Sequence, residues 1–442
     1  MRPSAAILSA ALILAATPAW SRSASVQSDT LTTAGGLRPE FGADDARSQV
    51  LLLELLRVAT EDVGVDGLQA EISGLAGAHV GPAPLDAPGV ERDRFVGSLL
   101  VGLLRWHSKR NTVRLAIGRQ YLFAGGGRAE HLDGLTATYL TPWNIDATVF
   151  GGRTTPWQLD LDSPAPDDEP WYFSNYAAGG RLRFRALEHA LASVGFIHEG
   201  NGGDLVRQSL TFDAGYWRLK AIEGLCGGVI DLAEGAPQEL WVQLVSRPVT
   251  GLKLTADYSY LVPALLIPRT SIFSVFATST SYHDASLGVH WALTDWLTAG
   301  AEGGVRLFPD EESALGYTVA ASARLTADGR RFIGLRVELL DVIEERQLQA
   351  RLYGLYHLGF GLYASADLHL LLFDVQDAAR ASVFALRRDE RRYSVGGVGL
   401  IGHRFTPRLS AQVAGSAFTT PAASRDLRII GRLTFDGDWG SP

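Results

Sequence analysis

Apolar and polar residues alternate one by one along this chain, and the pattern recurs over 442 residues. The stretch Asn111–Tyr139 shows the unit. Val113, Leu115 and Ile117 alternate with Arg114, Ala116 and Gly118; after Gly125-Gly126-Gly127, Leu135, Ala137 and Tyr139 alternate with Gly134, Thr136 and Thr138. A period of two puts each set on its own face of a strand. Two such runs about a glycine loop read as a β-hairpin. The alternation returns in Leu252–Tyr260, Leu297–Leu307, Ile333–Leu339, Leu362–Leu370 and Leu427–Phe435. A soluble sandwich seldom sustains it so long without helical interruptions.

The N-terminus says where such a structure would sit. Residues 1–24 read as a signal peptide: Arg2 is the basic start, Ala5–Ala16 the apolar run, and cleavage after Ala19 or Ser21 fits small side chains. No later segment offers some 18 uncharged apolar residues, the length a spanning helix needs. Cys226 is the only cysteine, so no internal disulfide holds the exported chain. In a bilayer every backbone group must be paired internally, and a closed barrel is the one β solution.

The expected fold class is therefore all-β: a single transmembrane antiparallel β-barrel of about 20 strands (roughly 18–22) in the outer membrane of a diderm bacterium. Residues 25–46, polar and without a clear period, are expected as a periplasmic N-terminal segment, and residues 47–442 as the barrel. Short turns at 108–111, 141–144, 187–189, 247–251, 293–296, 327–330, 357–361 and 404–408 alternate with longer segments at 155–175, 262–281, 309–313 and 375–390. Short periplasmic turns and longer extracellular loops have this arrangement. Trp106, Trp143, Trp217, Trp291 and Trp296 stand beside the short turns, as an interfacial girdle would. Breaks of phase at Gly227-Gly228 and Gly396-Gly397 suggest bulges.

Enzyme signatures are missing: there is no G-x-S-x-G, no H-E-x-x-H and no metal-ligand spacing among the ten histidines. His198-Glu199 and His283-Asp284 read as polar rim or lumen. No catalysis, cofactor or metal is expected. A net charge of -8 argues against nucleic acid as a partner.

The polar face of the strands is where function should lie. It carries Arg114, Arg181, Arg183, Arg185, Arg207, Lys253, Arg306, Arg324, Arg336, Arg351, Arg428 and Arg432, against Asp146, Asp213, Asp257, Glu302, Glu338 and Asp367. That two-to-one excess of bases would draw anions into a lumen. Arg181, Arg183 and Arg185 form a ladder roughly 13 Å long on one strand. The expected function is a channel passing anionic solutes or exporting an anionic polysaccharide, with outer-membrane lipid and a periplasmic export partner as its contacts. The alternative is a structural or adhesive barrel with a plugged lumen.

Gly118-Arg119-Gln120, Gly127-Arg128 and Leu132-Asp133-Gly134-Leu135 resemble a hairpin of the alginate-export type of outer-membrane porin. The resemblance implies a pore, and a glycan-export pore in particular. If the hairpin turns about Gly126, Ile117 faces Leu135, Val113 faces Tyr139 and Arg119 faces Asp133. The last two are expected as a structural ion pair near the strand ends.

Overall fold

The computed structural model describes residues 23–39, 47–80, 95–125, 128–155, 175–219, 222–262, 281–309, 315–328, 331–342, 345–375, 393–419 and 423–440. They form 22 strands and no helix. The strands are β1 (Ser23–Pro39), β2 (Arg47–Glu61), β3 (Leu68–Val80), β4 (Phe95–His107), β5 (Val113–Gly125), β6 (Arg128–Leu140), β7 (Ile145–Thr154), β8 (Asn175–Leu187), β9 (Ala190–Asn201), β10 (Asp204–Leu219) and β11 (Ile222–Asp231). The second half runs β12 (Ala236–Ser246), β13 (Leu252–Leu261), β14 (Tyr282–Ala292), β15 (Leu297–Leu307), β16 (Leu315–Asp328), β17 (Arg331–Val342), β18 (Glu345–Gly359), β19 (Leu362–Val375), β20 (Tyr393–Arg404), β21 (Leu409–Thr419) and β22 (Ala423–Gly440). Each pairs antiparallel with its chain neighbours, and β1 pairs with both β2 and β22, which closes the sheet.

The closing strand corrects the reading of residues 25–46 as a segment outside the barrel for residues 25–39; residues 40–46 lie outside the described residues. Ser23 to Leu37 lies against Glu61 to Arg47 on one side and Gly440 to Asp426 on the other. The sequence hides this because both faces are polar: Ser25, Gln27 and Asp29 on one, Ser28, Thr30 and Thr32 on the other. Its backbone decides the matter. Without β1, two strand edges would keep a row of unpaired amides and carbonyls. Most of the expected signal peptide, residues 1–22, lies outside the described residues.

The described connections at one end of the barrel are all short, while the other end mixes tight turns, as between β9 and β10 and between β11 and β12, with the long connections. The short turns are tight, and Asn111 and Asn144 take positive φ (53° and 58°) within them, as asparagine readily does. Of the long connections, 156–174, 263–280, 310–314 and 376–392 lie outside the described residues. Trp143, Trp217, Trp291 and Trp296 are all exposed at the short-turn end.

The expected bulges do not fall on Gly227-Gly228 or Gly396-Gly397, although the β11–β12 register shifts just beyond the first pair, between Val229 and Ile230. Gly227 and Gly228 pair in step with Asp213 and Phe212, and Gly396 and Gly397 with His369 and Leu368. These glycines make room instead. A Cβ on Gly227 would stand 2.7 Å from the Trp241 ring, one on Gly228 2.6 Å from Leu240, and one on Gly396 would collide with Phe418. Large side chains lie across the neighbouring strand's glycines.

Candidate functional site

The hairpin with the recognisable residues is also where the wall departs from a regular cylinder. β5 and β6 pair as a turn about Gly126 requires: Val113↔Tyr139, Ile117↔Leu135 and Arg119↔Asp133. Their outer neighbours release them partway. β4 pairs with β5 only from His107↔Arg114 to Gly102↔Arg119, although β4 runs on to Phe95 along β3 and β5 runs on to Gly125 along β6. β7 holds β6 as far as Leu132↔Thr154, with a last bond from the Thr155 amide to the His131 carbonyl. Beyond that point the tip strands, Gln120–Gly125 and Arg128–His131, pair with each other. The tip's β5 side lies against β8, β9 and β10, across the barrel interior.

Two local features turn the tip inward. Gly118 has φ +123°, and a Cβ there would collide with the Gly102 carbonyl oxygen. Only glycine tolerates both. On the facing strand the β3–β4 register steps from Ser73↔Val101 to Gly74↔Leu99, so Leu100 is bulged out and β4 bends away.

Polar side chains stitch the point of parting. Arg119 donates from Nε and Nη2 to the two Asp133 carboxylate oxygens, both at 2.7 Å, and from Nη1 to the Leu99 carbonyl at 2.9 Å. His131 Nε2 lies 2.7 Å from the Leu100 carbonyl, and its ring stacks on Tyr121 with centroids 4.4 Å apart. The Arg119–Asp133 pair thus sits mid-strand, not near the strand ends. Through Arg119 it also caps the Leu99 carbonyl of β4.

Behind the tip is a small hydrophobic core inside the barrel. Leu132, 1% exposed, packs with Phe150, Ala177 and Ile197, and Leu122 lies against them. Around this core stand the arginines of the polar face. Arg207 Nη2 donates to Glu130 at 2.6 Å and to Glu199 at 3.1 Å. Arg181 donates to Asp213 at 2.9 Å, to Ser193 Oγ at 2.8 Å and to the Phe123 carbonyl of the tip at 3.4 Å.

Along the rest of the wall most of the expected lumenal cations also have acids. Arg185 is paired with Asp146, Arg306 with Asp284 (2.7 Å), Arg336 with Glu302 and Glu338 (3.3 and 3.1 Å), Arg351 with Asp367 (2.5 Å), Arg428 with Asp426 (2.8 Å) and Arg432 with Asp29 (3.0 Å). With Arg181 and Arg207, eight of the twelve cations engage ten carboxylates. The two-to-one excess read from the sequence therefore shrinks toward parity. Asp29, Glu130, Glu199, Asp284 and Asp426 stand outside the six acids of the sequence reading. Each lies on the arginine's own strand or an adjoining one, except Glu130, which the bent tip brings over.

Four cations have no carboxylate among the described residues. Arg114 donates to Asn111 Oδ1, Arg324 stacks over Phe332 at 4.0 Å, Lys253 is exposed, and the buried Nε of Arg183 has no acceptor. The ladder of Arg181, Arg183 and Arg185 thus holds three positive charges against Asp213 and Asp146.

The two His–carboxylate dipeptides do not form dyads. Neighbours in a strand point to opposite faces. His198 meets the Tyr176 hydroxyl while Glu199 takes Arg207; His283 meets the Tyr258 hydroxyl while Asp284 takes Arg306.

No protein-family model matches the sequence and no curated protein is similar to it, so the alginate-export resemblance rests on the hairpin residues alone. Among solved structures, the chain is similar to the siderophore receptor PirA from Acinetobacter baumannii at 9% identity and TM-score 0.53, over 93% of this chain and 80% of that one. Weaker likenesses are to Acinetobacter baumannii OccAB4 (8% identity, TM-score 0.46, 94% of this chain and 98% of that one) and Pseudomonas aeruginosa OccK8 (10%, 0.44, 94% and 98%). At such identities the likeness speaks for the fold: this chain is a large, closed, antiparallel β-barrel.

Proposed function

We propose that the protein is a channel of the outer membrane, exported by residues 1–24, whose bore is narrowed by the Gln120–His131 tip and passes anionic solutes. The outward faces support the membrane reading: Ile117, Leu135 and Leu287 are more than half exposed there, as lipid-facing side chains are. The observation that carries the anion reading is the set of cations left, among the described residues, without an acid on a wall otherwise neutralised by ion pairs: Arg114, Arg183, Lys253 and Arg324. A carboxylate or sulfate oxygen in the lumen would be drawn to these unpaired cations by their charge. Arginine's planar fork suits such oxygens. An extended polyanion could step along Arg181, Arg183 and Arg185, which is the form an exported polysaccharide would use.

The test is the reversal potential of single channels across a salt gradient. The wild type should prefer anions modestly, since most of the wall is paired. Changing Arg181, Arg183 and Arg185 together to serine should abolish that preference. A cation-selective wild type would overturn the reading. A second reading, a plugged barrel, draws on the core of Leu122, Leu132, Phe150, Ala177 and Ile197, which fills part of the interior; it predicts no conductance at all.

A further inference from the structure

The inward tip leaves the wall open behind it. Among the described residues, β4 has no ladder partner on its β5 side from Phe95 to Val101, and β5 has none on its β4 side from Gln120 to Gly125. A barrel in lipid otherwise pairs its backbone all the way round. The opening lies on the half of the wall nearer the long connections, since β4 and β5 stay zipped toward their short turn. It is built and not frayed: the Gly118 bend, the bidentate Arg119–Asp133 pair, the Tyr121–His131 stack and the interior core all hold the tip away from β4.

Its edges are apolar. Leu99 on β4 is 45% exposed, and Tyr121 and Phe123 on β5 are 38% and 62% exposed. Its foot is capped, because Arg119 and His131 already occupy the Leu99 and Leu100 carbonyls. That capping matters for what can enter. A free strand edge recruits another strand through its carbonyls and amides, but at the foot of this one the Leu99 and Leu100 carbonyls are already taken. A hydrocarbon chain, by contrast, would strip no hydrogen bond there.

We propose that this opening is a lateral port for a single-tailed amphiphile moving between the lumen and the surrounding lipid. The tail lies in the slot between Leu99 and Phe123, and the head stays on the polar, lumenal side. This rests on the reading of the barrel as membrane-spanning, not on its ion selectivity.

Two measurements test it in vesicle-reconstituted protein. In a Cys226→Ser background, Phe123→Cys should react with both a lipid-soluble and a charged, membrane-impermeant maleimide. Ile117→Cys, on the same strand but below the opening, should react with the lipid-soluble reagent only. In the wild type, a long-chain carboxylate with a photoreactive tail should label Leu99, Tyr121 and Phe123 well above Ile117 and Leu135, and excess dodecanoate should suppress that labelling. Labelling spread over the outward face in proportion to exposed area would overturn the port, as would a Phe123→Cys thiol closed to the charged reagent. So would suppression by an extended peptide but not by dodecanoate, which would assign the edge to strand addition. Failure of the channel reading would show separately, as absent conductance in the same preparation.

Discussion

Gly118→Ala is the sharpest perturbation of the constriction. At φ +123° the backbone of residue 118 occupies a region that side-chain-bearing residues enter at a cost of about 1–3 kcal/mol. The added Cβ would also meet the Gly102 carbonyl oxygen. Straightening β5 removes both penalties and extends its ladder along β4. Against this stand Leu132 and Leu122 in the interior core and the Arg207–Glu130 pair, which only the bent tip makes. At 1.4 kcal/mol per factor of ten, the bent-to-straight ratio should fall roughly five- to 150-fold from the backbone penalty alone. Planar-bilayer recordings should then show larger conductance steps than wild type, or two interconverting step sizes, while the protein still shows a heat-modifiable band. A variant that folds and keeps the wild-type step would refute the hairpin as the narrowing element.

Three further outcomes follow from the same geometry. Leu132→Ala should lower stability by about 2–5 kcal/mol, as truncation of a fully buried leucine does, read as the urea midpoint of the barrel in detergent or lipid. Arg119→Asp and Asp133→Arg should each lose about 1.5–3 kcal/mol, the worth of charged hydrogen bonds; the double exchange should recover most of it but not the Leu99 contact, and a swap no better than either single change would refute the pairing. Arg207→Met leaves Glu130 and Glu199 without their shared cation, so the reversal potential should move toward cation preference, and an unmoved value would place that cluster off the conduction path.

Much of this barrel is legible in its alternation. Strands with one apolar and one charged face announce themselves, and the hairpin register could be counted from Gly126 because a tight turn leaves little freedom. β1 could not be read that way. Its two faces are alike, and only the requirement to pair the edges of β2 and β22 makes it a strand. The ion pairs were half legible for a related reason. Alternation puts Arg306 and Arg351 on the polar face, but which acid meets them depends on neighbouring-strand register, set by turns and bulges spread over the chain. The inward tip was not legible at all. Gly118 looks like one more small residue in a strand, and its positive φ has meaning only once β4 is seen to bulge at Leu100 opposite it.

The most direct test of the whole account is a planar-bilayer recording of the purified, heat-modifiable wild-type protein. A channel narrowed but not closed by the Gln120–His131 tip predicts discrete, stable conductance steps with modest anion preference. Bilayers that stay silent after demonstrated incorporation of the folded barrel would contradict it and leave the plugged, structural barrel as the correct description.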